Sequence, residues 1–138
     1  MGMATAARQF IVAHVEDDGQ IVVHYDAFNQ TWPDGTTLKD IEIENADDGW
    51  HLIVNGVRPD GNSIAARMPL EFTPNGALRV ATTGAQQSIT QTCTGDPCSA
   101  CTLTAGVCKC AVAAHPTGPH CDSTIVITTP DAIFLKSN

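Results

Sequence analysis

The chain has 138 residues, 43% of them apolar, and a formal net charge of −8, which is enough for one domain with a sizeable core and a small annex. Residues 1–71 hold twelve acidic and four basic side chains, whereas residues 72–138 hold three of each. The acidic half repels phosphate backbones and the scattered Lys and Arg form no cluster, which argues against a nucleic-acid partner; no apolar run reaches the roughly 20 residues of a membrane-spanning helix.

Turn signals punctuate the first ninety residues: Asp18-Gly19, Asp34-Gly35, Asp48-Gly49, Asn55-Gly56, Asp60-Gly61 and Asn75-Gly76 all accept positive φ at low cost. The runs between them are rich in β-branched residues and predict strands at Phe10–Val15, Ile21–Tyr25, Leu38–Glu44, Trp50–Val57, Ser63–Phe72, Leu78–Thr83 and Ser88–Thr92. In Lys39–Glu44 the period-two alternation puts Ile41 and Ile43 on a buried face and Glu42 and Glu44 on a wet one. Pro69 and Pro74 cannot donate to a ladder, so the strand around Leu70–Phe72 is expected at an edge or leaving the sheet. Ser123–Thr129 predicts a further strand, and Ile133–Leu135 a short last one. No window carries a sustained 3.6-residue period. The expectation is an all-β antiparallel sandwich or open barrel of eight or nine short strands: a body over 1–92, a Cys-rich loop module over 93–122, and returning strands over 123–138.

All six cysteines lie in that module, spaced Cys93-x4-Cys98-x2-Cys101-x6-Cys108-x-Cys110-x10-Cys121. The stretch has no aromatic residue and few large aliphatics, so cross-links or a metal must supply what burial does not. Three bridges, each contributing about 2–4 kcal/mol, are the preferred account. Sequence does not choose among the fifteen pairings, although Cys108 and Cys110 point the same way in extended chain and each is expected to pair elsewhere. The alternative is a thiolate metal site, zinc held by the close pairs Cys98/Cys101 and Cys108/Cys110 with His115 or His120 completing it.

Two local likenesses bear on the module. Cys93-Thr94-Gly95-Asp96-Pro97-Cys98-Ser99-Ala100-Cys101 resembles the cluster loop of plant-type [2Fe–2S] ferredoxins. That resemblance implies Cys93, Cys98 and Cys101 as iron ligands, with one of Cys108, Cys110 or Cys121 as the fourth. The stretch through Cys108-Lys109-Cys110 and Pro119-His120-Cys121-Asp122-Ser123-Thr124-Ile125 is similar to uncharacterised small Cys-rich proteins of Bacteroidetes-type bacteria, which implies a bacterial source and, through their export signals, disulfides.

Other chemistry-bearing residues read as structural. His14 and His24 share a face if the Asp17-Asp18-Gly19 loop is three residues long, and a two-residue loop would separate them. Asp17, Asp18, Asp47 and Asp48 precede turn glycines and miss the calcium-loop register, Trp32 and Trp50 sit beside turns where tryptophan packs over a core edge, and Glu42 and Glu44 fit a solvated strand face. No nucleophile motif appears.

The sequence thus predicts a non-enzymatic structural, interaction or assembly subunit with a disulfide-stapled loop and no catalytic residues or preferred cofactor. Its expected partner is protein, including self-association through strand edges or a filament in which a segment such as Thr5–Val15 pairs with a neighbour. The Met1-Gly2-Met3 start resembles one placed before a trimmed chain. With a removed leader the location is secreted or cell-surface, where disulfides persist; otherwise it is cytoplasmic, where thiolate sites are favoured.

Overall fold

A computed structural model describes residues 10–31, 35–83, 87–111, 119–129 and 135. Ten strands account for most of them: β1 (Ile11–Val15), β2 (Ile21–Val23), β3 (Thr37–Ala46), β4 (Gly49–Val57), β5 (Ser63–Phe72), β6 (Ala77–Val80), β7 (Ser88–Gly95), β8 (Cys101–Thr104), β9 (Val107–Cys110) and β10 (Cys121–Thr128). The only helical piece among the described residues is a 3-10 turn at Tyr25–Ala27. Every strand pairing is antiparallel.

The hub is β5. One edge pairs with β4 over Ser63–Pro69, while the other pairs with β7 through Ile64–Arg67 and with β6 through Leu70–Phe72. Pairing to β4 stops at Pro69, so among the described residues Leu70–Phe72 has one neighbour only, the local edge expected from the prolines. From β6 the sheet continues through β1 to β2. The chain after β2 then runs beside β3, where the Leu38 amide donates to the Gln30 carbonyl at 2.8 Å and Thr31 bridges Thr37. In this way the sheet nearly closes as a barrel. β7 and β10 extend from β5 as a two-strand flap.

The barrel is filled by side chains of one sheet face: Phe10, Val12, Phe28, Leu52, Val54, Met68, Leu70, Leu78, Val80 and Leu135, with Ile41, Ile43 and Trp50 packed against them. Trp50 meets Phe72 edge-to-face at 5.7 Å, as a tryptophan at the rim of a core does. Trp32 lies outside the described residues, as does Ile133; Leu135 forms an isolated bridge with Phe28.

Asn55-Gly56 is no turn but lies inside β4, where Asn55 and Gly56 pair with β3 on one side and β5 on the other. Two further expectations need correction. Ile11–Val15 is paired on both edges, with β2 and β6, and Phe10 is buried at 2% exposure, so that part of Thr5–Val15 is not free to complete a neighbour's sheet. Residues 5–9 lie outside the described set. The second concerns Glu44, whose side chain is only 11% exposed: the outer face of β3 is covered there by the Cys-rich segment.

Candidate functional site

The Cys-rich segment folds back over the outer face of the sheet, on the side away from the barrel interior. Its centre is the β8–β9 hairpin, with Thr104 opposite Val107 and a two-residue turn at Ala105-Gly106. Both turn residues have positive φ, 51° and 83°, the pattern of a type I′ turn, whose twist matches that of paired strands. The sequence reading placed no strands here, because four-residue segments with an Ala-Gly turn lack the usual Asn-Gly or Asp-Gly signal.

All six cysteines are paired, as Cys93–Cys108, Cys98–Cys110 and Cys101–Cys121, with Cα separations of 5.5, 6.0 and 6.0 Å. First joins fourth, second joins fifth and third joins sixth. Each closed loop therefore contains one end of both other bridges. Cys108 and Cys110 pair elsewhere than with each other, as their shared direction on β9 required. The sulfurs make a second small core with Ala65 and Leu103, in which Cys93, Cys98 and Cys101 are buried. Cys93 belongs to β7 and Cys121 to β10, so two bridges tie the hairpin segment directly to the flap.

Polar contacts hold the segment along its length. The Ser63 amide donates to the Cys98 carbonyl at 2.7 Å, and the Cys98 amide to Asn62 Oδ1 at 3.1 Å. Asp96 N–H donates to the His120 carbonyl and His120 N–H to that of Pro97, at 2.9 and 3.0 Å, joining the ends of β7 and β10. The approach is so close that a Cβ on Gly95 would lie 2.2 Å from the Cys98 carbonyl oxygen, a position that only glycine can hold.

The hairpin tip rests on a charged knot that sequence reasoning missed. Arg67 interrupts the apolar run Ala65-Ala66-Arg67-Met68 and is 7% exposed. Its Nε donates to Glu44 Oε1 at 2.9 Å, and its Nη atoms reach Asp48 at 3.0 and 3.3 Å. Glu44 Oε2 accepts the Ala105 amide at 2.8 Å, and Gln91 Nε2 donates to the Gly106 carbonyl at 2.8 Å and to Ser123 Oγ at 2.9 Å. Burial disfavours the guanidinium charge, but the hydrogen bonds and charges of Asp48 and Glu44 outweigh it and raise the Arg67 pKa. In return the Arg67 hydrogen bond holds the Asp48 carboxyl below the usual carboxylate range. The available clue was a lone arginine in a strand otherwise buried on both faces, where a charge needs a partner.

Between the annex and β3–β4 lies an open cleft of about 360 Å³, lined by Lys39, Asp40, Glu42, Asn55, Ser63 and Thr102 among others. These polar side chains are mixed with Ile53, Val57 and Leu103 along its walls.

The histidines fall in different places. His14 and His24 meet across a three-residue Asp17-Asp18-Gly19 loop, closed by the Glu16 amide donating to the Gln20 carbonyl at 2.8 Å; their Nδ1 and Nε2 atoms are 2.6 Å apart. Glu16 lies 3.5 Å from the other nitrogen of His14. His120 stands with Asp96 and Asp122, all exposed, rather than with the sulfurs; His115 lies outside the described residues. The bridges leave no thiolate for zinc or a [2Fe–2S] cluster while they are intact. Sulfurs of Cys93, Cys101 and Cys121, and of Cys98, Cys110 and Cys121, nevertheless lie within 4.8 Å of one another, so reduction would release clustered thiols.

No family model matches the chain, and no curated protein and no solved structure matches it either. No helix among the described residues is long and apolar enough to cross a membrane.

Proposed function

We propose that this chain is a non-enzymatic structural or assembly subunit, exported to an oxidising compartment, in which the stapled annex armours one face of a β-barrel body. The observation that carries the reading is the interleaved set of three bridges over a layer with almost no apolar core of its own. A layer of that kind gains its order from cross-links, and such cross-links persist where thiols are oxidised. The knot of Arg67, Glu44 and Asp48 serves the same end, since it locks the hairpin tip to the sheet.

Limited proteolysis of the native protein with and without reductant tests this. The reading expects the oxidised chain to resist cleavage and the reduced chain to be cut between residues 93 and 121. Equal resistance in both states would contradict the stapling role. A second reading, a thiolate metal module, is favoured by the close approach of sulfurs from different bridges. It predicts stoichiometric zinc or iron in protein purified without oxidation, measured by elemental analysis.

A further inference from the structure

The flap ends in a strand whose outer edge is unpaired among the described residues. Among the described residues β10 pairs with β7 alone, in eight consecutive register pairs from Cys121–Gly95 to Thr128–Ser88 with no bulge. Proteins guard such edges with lysine, proline, a bulge or a covering loop, because the unpaired amide and carbonyl groups are a template for another strand. Residues Ser123–Thr128 contain no proline and no charge. Their exposed face instead carries Ile125 at 61% and Ile127 at 64% exposure, beside Ile89 of β7 at 56%. Ile127 is directly opposite Ile89, so the three form one patch.

We infer that β10 is a self-association strand: two copies of this chain pair edge to edge, β10 antiparallel to β10, about a two-fold axis through Val126. This rests on the assembly-subunit reading above and names its partner. Charge supports a second copy as the occupant. A molecule of net charge −8 repels itself, and twelve of its fifteen carboxylates lie in residues 1–71. The neutral stretch of β10 is a place where two such molecules meet without opposing charge, and Asp122 falls at the periphery of the joined strands.

Self-complementarity supports it further. Antiparallel pairing centred on Val126 sets Ile125 opposite Ile127 of the second copy, and Ile127 opposite its Ile125, all on one face. Two copies thus set four isoleucines side by side as cross-strand pairs, flanked by both Ile89 side chains, and the contact closes on itself as a two-fold interface does.

Sedimentation velocity of the oxidised full chain, from low micromolar to submillimolar concentration, tests the inference. The expected result is a monomer–dimer equilibrium. Ile125→Lys is expected to raise the dimer dissociation constant about tenfold, because each dimer loses both of its Ile125–Ile127 cross-strand pairs. Mixing Ile125→Lys with Ile127→Glu restores the dimer, since position 125 faces position 127, whereas mixing Ile125→Lys with Ile125→Glu does not. Ile125→Thr with Ile127→Thr is a neutral, strand-favouring variant that should also be monomeric, and intact mass confirms three bridges in every variant. A monomer at all concentrations, open-ended polymers, or a dimer indifferent to these substitutions would overturn the inference. A monomer that still has three bridges and protease resistance leaves the stapled-subunit reading standing, so the two failures are separable.

Discussion

Replacing Arg67 by Met removes the buried cation beneath the hairpin tip while keeping the volume of its aliphatic stem. The side chains of Arg67 and Glu44 are 8% and 11% exposed, so the substitution leaves a nearly buried carboxylate whose remaining partner is the Ala105 amide. Breaking a buried pair from one side costs about 3–5 kcal/mol, a large part of a typical domain stability of roughly 5–15 kcal/mol. Glu44→Leu in the same background removes the stranded charge, and what remains is the unpaired Ala105 amide, costing about 1–3 kcal/mol. The double variant is therefore expected to be more stable than Arg67→Met alone. Asp48, 62% exposed, adds less than Glu44 because water screens it. Urea unfolding with the bridges intact measures the four corners of the cycle, and hydrogen exchange at Ala105 reports whether the hairpin tip lifts. Additive effects of the two substitutions would refute the coupling.

Three further outcomes follow from the same geometry. Gly95→Ala forces a methyl group against the Cys98 carbonyl and is expected to lower stability by about 1–3 kcal/mol, read as a reduced urea midpoint; an unchanged midpoint would mean the loop is not held so close. Ala105→Gly relieves a non-glycine residue at φ 51° and should raise the midpoint modestly, since a type I′ turn favours glycine or asparagine there, and a loss of stability would show that the tip has another conformation. Asp48 has a folded pKa below its ordinary value, so its contribution is present above the unfolded pKa, near 3.8, and is lost as pH falls through the folded value. The midpoint difference between wild type and Asp48→Asn should accordingly shrink as acid is added, and a difference that grows would reverse the sign of the argument.

The body was legible because its signals are local. A turn dipeptide such as Asp18-Gly19 or Asp60-Gly61 fixes a corner, and alternation such as Ile41-Glu42-Ile43 fixes a face, so most strands fall where the pattern puts them, although Asn55-Gly56 sits inside β4. Near-closure of the barrel was less accessible, since it depends on residues 28–31 lying beside β3 and on β5 dividing its edge between β6 and β7. Both are choices of long-range partner. Within the annex, that Cys108 and Cys110 avoid each other followed from extended geometry, but their partners did not, because spacing constrains each pairing only weakly. Glu44 was misplaced for the opposite reason: its alternation was right, yet the outer face of β3 is roofed there by the β8–β9 hairpin, sixty-one residues away. His14 and His24 turned on one loop residue, and the three-residue loop brought them together.

The interleaved bridges are the central claim, and intact mass after alkylation of the denatured but unreduced chain tests it most directly. Three disulfides predict no added alkyl groups before reduction and six after it, with non-reducing peptide maps joining Cys93 to Cys108, Cys98 to Cys110 and Cys101 to Cys121. Six alkylated thiols without reductant would contradict the account and return the sulfur cluster to metal chemistry.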